Sequence, residues 1–295
     1  MATKHSKCGL TYLEKYAMDR HASSSTKGQS FPFTTVDCLA DGFVESFQGK
    51  YFYDTTAFGT PVRASLSTSL TYLLQNCNQP FAILTDATGV SATTGIVAAV
   101  AGDTRGSLKL EVTDAASNGV GFYQQDSLWI TPSAREVIVD FEFSNIANHT
   151  LGGARALAQL GIMVAKGANF LVINNLSAAL TNAPSADFIM VEISQTSCRL
   201  VTKASASATA VTYSRWFELP AGSHTLSIEI IQGLNVYLWI DGYKQEASLI
   251  SRTSAIAASQ VFGRVGHTAA YVTLTDTPIT IEIDSIACSV PRIDY

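Results

Sequence analysis

Apolar and polar residues alternate most regularly over residues 223–243, SHTLSIEIIQGLNVYLWIDGY. Leu226, Ile228 and Ile230 alternate with Thr225, Ser227 and Glu229, the period-two pattern of a strand buried on one face. Gln232-Gly233 interrupts the run. Val236, Leu238 and Ile240 then alternate with Asn235, Tyr237 and Trp239, and Asp241-Gly242 supplies a tight turn. The pattern predicts a hairpin that cannot bury its apolar face alone, so a second sheet is required. Strands for it are predicted over residues 82–84, 95–100, 108–112, 119–124, 128–130, 136–143, 160–165, 188–193 and 197–203. Others follow at 211–217, 260–265, 271–274 and 279–286. Many short strands with Gly, Ser, Thr and Asn between them fit a sandwich or jelly roll. Helix-like spacing occurs at Leu66, Leu70, Leu73 and Leu74, and again over residues 10–18. Residues 151–160, LGGARALAQL, read as a helix or, because of the glycine pair, a loop.

The beginning of the chain differs. Residues 1–30 read as an arm ending in a polar, flexible connection. Phe31, Phe33, Phe43, Phe47, Tyr51, Phe52 and Tyr53 then crowd a short stretch, and aromatic side chains dominate interface energetics. The expected division is an N-terminal extended arm and docking region over residues 1–79, followed by a β-sandwich domain over residues 80–295.

Composition narrows the function classes. Hydrophobic residues make up 47% of the 295 and charged residues 15%, so a sizeable core is available beneath a largely neutral surface. A net charge of −5 with no basic run argues against nucleic acid as a partner. No apolar stretch approaches the roughly 20 residues of a membrane-spanning helix. The first residues lack an apolar signal-peptide core, which implies synthesis in a cytoplasm without secretion by that route. Cys8, Cys38, Cys77, Cys198 and Cys288 are widely spaced and form no metal-ligand pair, so buried free thiols are expected.

The hairpin sequence GSHTLSIEIIQGLNVYLWIDGY resembles the strand–turn–strand of concanavalin A-like lectin/glucanase jelly rolls, in which the second strand ends at an Asp-Gly. ITIEIDSIACSV resembles their closing strand. GSLKLEV, SLWITP and REVIVDFEFSN resemble the front strands of the version found in structural proteins of tailed phages. The resemblance spans about residues 80–291 and implies an all-β, concanavalin A-like jelly-roll sandwich. It leaves function open, because this sandwich hosts lectins, hydrolases and structural modules alike.

Glu136, Ile138, Asp140 and Glu142 share one face of a strand by period two. Glucanases of this fold place a same-face acidic run there, its first Glu as nucleophile and its last as acid/base. Asp140 and Glu142 match the pattern, whereas Ile138 stands at the nucleophile position. From that gap the expectation is that the chain is not an enzyme. No oxygen-rich metal loop is evident around His149 or the other histidines, so no metal or cofactor is expected. Trp239 and Tyr237 are candidate carbohydrate-stacking residues. The reading that follows is a phage virion protein made in the host cytoplasm. Its expected role is capsid decoration, cement or head fibre, binding the major capsid protein or neighbouring subunits through Phe31, Phe33, Phe43, Phe47, Tyr51, Phe52 and Tyr53. A homo-oligomer is expected, with no nucleic acid or membrane partner. The alternatives are a tail-fibre or tailspike module that recognises host polysaccharide, and a glycoside hydrolase.

Overall fold

The computed structural model describes residues 40–45, 62–63, 72–74, 81–85, 95–98, 108–112, 119–124, 136–147, 156–164, 187–204, 211–257, 259–267 and 279–291. Every regular element among them is a strand. In chain order these are β1 (Ala40–Glu45), β2 (Val62–Arg63), β3 (Tyr72–Leu74), β4 (Phe81–Thr85), β5 (Gly95–Ala98) and β6 (Leu108–Val112). Next come β7 (Gly119–Gln124), β8 (Glu136–Ala147), β9 (Ala156–Met163), β10 (Phe188–Ile193), β11 (Ser197–Lys203) and β12 (Val211–Tyr213). The last six are β13 (Phe217–Glu218), β14 (His224–Ile231), β15 (Asn235–Ile240), β16 (Tyr243–Ser251), β17 (Gln260–His267) and β18 (Ile279–Pro291).

They form two antiparallel sheets. Sheet A runs β16-β15-β14-β8-β18-β6-β5-β2, with β1 also on β18, and sheet B runs β12-β11-β10-β9-β17-β7-β4-β3, with β13 also on β11. The molecule is an all-β jelly-roll sandwich. Its inner layer follows from alternation. Val137, Val139, Phe141 and Phe143 of β8 and Leu226, Ile228 and Ile230 of β14 meet Leu160, Ile162, Ile189, Val191 and Leu200 of sheet B in one buried core. The hairpin pairs Ile228 with Leu238 and Ile230 with Val236, as the alternation requires. Its turn places Gln232 and Gly233 at φ 52° and 68°, and Asp241-Gly242 turns into β16 at φ 51° and 83°. Both conformations suit Gly and short polar residues.

Two stretches with helix-like spacing are strands where they are described. Leu73 and Leu74 lie in β3, and residues 156–160 of the stretch read as helix or loop open β9. Residues 10–18, Leu66 and Leu70 lie outside the described residues. In β9, Ala158, Leu160 and Ile162 face the core while Gln159, Gly161 and Met163 face outward, so period two overrides the helix propensity of Ala and Leu. Gly161 is needed there because a Cβ would run into the backbone of Ile189 and Met190 on β10. The expected arm also contributes strands, since β1 pairs with β18 and places Phe43 opposite Cys288, β2 pairs with β5 and β3 with β4. Phe31, Phe33, Phe47, Tyr51, Phe52 and Tyr53 lie outside the described residues, as do the strands expected at 128–130 and 271–274.

The two sheets are also tied by a polar clamp. Arg252, just past β16, donates through Nη2 to the Asp187 carboxylate and through Nη1 to the carbonyls of Phe188 and Lys203, each 3.1 Å away. Both members of this ion pair are buried. Cys198 and Cys288 are buried free thiols, and burial pushes Cys198 up to about 12 and Cys288 higher still. They are inert at neutral pH.

Candidate functional site

The outer face of sheet A carries the acidic strand. Asp140 lies between Ser227 of β14 and Ala287 of β18, and Glu142 lies between Thr225 and Ser285. The Ser285 hydroxyl donates to Glu142 at 2.9 Å. Ile138, opposite Glu229, is buried. Tyr237 and Trp239 project from β15 onto the same face. Trp239 is only 7% exposed, and its indole N–H donates to Glu229 at 2.9 Å. Lys244 pairs with the same Glu229 oxygen at 2.9 Å and sits 3.6 Å from the centroid of Tyr237 and 5.7 Å from that of Trp239. The structure therefore sets the two candidate stacking rings beneath a lysine and ties them to a buried carboxylate. Beside them, burial first, then the charge and hydrogen bond of Glu229, push the Glu136 carboxyl above the usual carboxylate range, against a smaller opposing pull from Lys244.

The outer face of sheet B carries a second constellation that the sequence pattern does not announce. Gln159 of β9 stands directly opposite Arg264 of β17 on one side and Glu192 of β10 on the other, and Glu192 stands opposite Arg199 of β11. Strand register thus lines up four polar side chains in one row across four strands. Their hydrogen bonds run continuously along it. Arg264 Nε donates to Gln159 Oε1 at 2.6 Å, Gln159 Nε2 to Glu192 Oε1 at 2.9 Å, and Arg199 Nε to Glu192 Oε2 at 2.7 Å, with Arg199 Nη2 on the same oxygen at 2.6 Å. Arg264 and Gln159 are completely buried and Glu192 is 1% exposed. Burial pulls the Arg264 guanidinium down to about 9 against the pull of Glu192, so it stays charged at neutral pH. The adjacent row on this face is apolar, with Phe262, Met190 and Val201 buried together.

At its outer end the row meets a broken edge. β12 pairs with residues 201–203 of β11 and β13 with residues 197–198, leaving a gap opposite Arg199. Ser214 holds the gap open in an ordered way, its backbone N–H donating to Leu200 O and its hydroxyl accepting from Leu200 N, each at 2.9 Å. Trp216 and Tyr213 flank the gap, and the Arg199 guanidinium packs on both rings, 4.2 Å from the Tyr213 centroid and 4.5 Å from that of Trp216. The Arg199 side chain is 13% exposed and Tyr213 44% exposed. Two aromatic rings, one stacked guanidinium and a buried carboxylate behind it make a rigid, amphipathic surface. Such a surface offers apolar ring faces and directed N–H donors together, the combination that suits a polyhydroxylated ring bearing polar substituents.

A sequence signal for this site existed. Glu192 interrupts the apolar run FIMVEI, and Gln159, Arg199 and Arg264 each interrupt a similar one. A lone polar residue inside a run buried on both faces needs partners. The partners lie up to 105 residues away, so their meeting is set by strand order, which the pattern does not give.

No family model and no curated protein matches the chain. Among solved structures, alginate lyase A1-II′ of polysaccharide lyase family 7 aligns over 65% of this chain and 82% of its own at 11% identity and TM-score 0.43. The carbohydrate esterase of Shiga toxin-encoding bacteriophage phi24B aligns over 67% and 87% at 17% identity and TM-score 0.41. The β-glucanase of Bacillus licheniformis aligns over 85% and 98% at 10% identity and TM-score 0.43. The expectation that the chain is not an enzyme is corrected: it rested on Ile138 alone, and the structures aligned with the chain are an alginate lyase, a carbohydrate esterase and a β-glucanase. The missing nucleophile at Ile138 argued only against one placement of chemistry, on β8, and left the polar row of sheet B unweighed. At these identities and TM-scores the likeness carries no argument about activity, and the sandwich is read from the two sheets themselves.

Proposed function

We propose that this chain is a polysaccharide-engaging jelly-roll domain of a phage virion protein, with the broken edge of sheet B as its contact surface. One observation carries the reading: Tyr213 and Trp216 both pack on the Arg199 guanidinium at an ordered gap in the edge strand, backed by the buried Glu192. Aromatic rings present sugar-sized apolar faces with little conformational freedom to lose, and a fixed guanidinium adds direction. The virion setting is supported by the resemblance of the front strands to the phage version of the fold. Host-surface polysaccharide is the natural ligand for such a module.

The test is a fluorescence titration of the protein against bacterial surface polysaccharides and soluble plant and algal polymers. Binding should change the tryptophan signal, and Trp216→Ala should abolish binding while leaving the circular dichroism of the sandwich intact. Binding that survives both Trp216→Ala and Tyr213→Ala would remove this surface from consideration. The length of the bound polymer after incubation separates a module that only binds from one that also cleaves.

A second reading, a capsid-bound decoration or head-fibre subunit, is supported by the edge strand β16, on which Tyr243 and Leu249 are exposed. Exposed apolar side chains on an edge are a common start of a protein contact. Retention on purified heads that is lost in Leu249→Glu, with no polysaccharide bound, would favour it.

A further inference from the structure

We infer that the polymer engaged at this edge is acidic, and that Arg199 reads a sugar carboxylate through the side of its guanidinium turned away from Glu192. The inference rests on the polysaccharide reading and names its ligand class. A guanidinium has five N–H donors in a planar fork. Arg199 uses the edge formed by Nε and Nη2, and it directs both to a single oxygen, Glu192 Oε2, at 2.7 and 2.6 Å. Covalent planarity then puts Nη1, with two N–H groups, on the other side of the fork, where no described residue engages it. The rings of Tyr213 and Trp216 pack on the guanidinium, and the Arg199 side chain is only 13% exposed. Donors in that setting favour an anionic acceptor over a hydroxyl, because charge-assisted bonds strengthen as the local dielectric falls.

The row behind Arg199 fixes its orientation. Glu192 cannot turn away, since its other oxygen accepts from Gln159, which in turn accepts from Arg264 at 2.6 Å. Gln159, Glu192 and Arg264 are therefore positioning residues for Arg199. A sugar carboxylate seated at the Nη1 edge of the guanidinium gains a charge-assisted bond, whereas a neutral hydroxymethyl group at that place gains none. The nearby charges are mixed. Arg215 is exposed and packs on Phe217 at 4.9 Å, while Glu218, opposite Ser197, is exposed on the same face as Arg199. The preference for acid is thus the work of Arg199 rather than of a general positive field.

The experiment compares polygalacturonate, alginate and hyaluronan oligosaccharides with the same oligosaccharides after chemical reduction of their carboxyls to alcohols. The protein should bind at least one native polymer about tenfold more tightly than its reduced form. Arg199→Gln should erase that preference, so that native and reduced forms bind within about twofold of each other. Arg199→Lys retains a cation for Glu192 and guards against misfolding, yet offers no second donor edge, so it should erase the preference too. Equal binding of native and reduced polymers, or a preference that survives Arg199→Lys, would overturn the inference while leaving the polysaccharide reading in place. Binding of neutral polysaccharides alone would do the same. Absence of binding to any polysaccharide, charged or neutral, would sink both.

Discussion

The outer faces of the two sheets are built from the same parts and end differently. Each has a buried glutamate, two aromatic rings and a cation, Lys244 two strands away on sheet A and Arg199 on the adjacent strand of sheet B. On sheet A, Glu229 accepts from Trp239 and Lys244 at one oxygen, and Lys244 covers Tyr237. The group closes on itself, and Trp239 is buried. On sheet B, Glu192 is shared between Gln159 and Arg199, and Arg199 packs on two rings that remain partly open to solvent. The difference is the cation. An ammonium is a compact charge that one carboxylate and a ring face can satisfy, whereas a planar guanidinium has more directed donors than one oxygen can accept. The lysine makes a finished structural cluster, and the arginine leaves an edge with binding capacity.

The largest expected effects come from removing the two glutamates. Glu192→Ala strands Arg199 and takes a partner from the fully buried Gln159, so it should cost about 3–5 kcal/mol in denaturant titration. Glu229→Ala leaves Lys244, which can turn toward solvent, and a buried indole N–H, so about 1–3 kcal/mol is expected. A reversed order would show that the sheet A cluster is the more deeply committed one. As a reference for pure packing, Ile228→Ala in the shared core should cost about 2–5 kcal/mol.

A smaller effect distinguishes the two ends of the hairpin by pH. The His224 ring lies with Nδ1 2.8 Å from Asp241 Oδ2 and Nε2 2.5 Å from the Pro220 carbonyl, two acceptors that the protonated ring satisfies together. The hydrogen bond to Asp241 raises its pKa most, with burial opposing and the Pro220 bond and the Asp241 charge adding to the rise. A raised folded-state value means the stabilisation is fully present below about 6.5, the unfolded value, and is lost as pH rises through the folded value. Thermal unfolding scans across that window should show falling stability in the wild type and a flatter profile in His224→Gln. The smallest effect concerns Glu218. Its removal in Glu218→Gln should tighten binding of an acidic polymer by no more than about threefold, fading at high salt, because exposed charges are well screened.

The sandwich was legible wherever one face of a strand is buried. Leu226–Ile230 and Val236–Ile240 alternate cleanly and pair as the alternation demands. β16 was missed because its pattern is broken, with pairing to β15 jumping from Val236–Ile250 to Leu238–Gln245. Within that bulge the Ser248 hydroxyl accepts the Leu238 N–H at 2.7 Å, replacing a ladder carbonyl. The candidate site was partly legible too. The aromatics on β15 are conspicuous because they sit in the best hairpin, and Lys244 covers them. Arg199 and Trp216 sit in a short, interrupted edge whose importance depends on what β10 and β9 place behind it. Period two tells which residues share a face, but not which strands are neighbours.

The most direct test of the sheet B assignment is hydrogen exchange measured with and without a bound acidic polysaccharide. Peptides covering residues 197–218 should gain protection when polymer is added, while those covering residues 235–251 on sheet A should exchange as before. Protection confined to residues 235–251, with residues 197–218 unchanged, would place binding at Tyr237 and Trp239 and contradict the account.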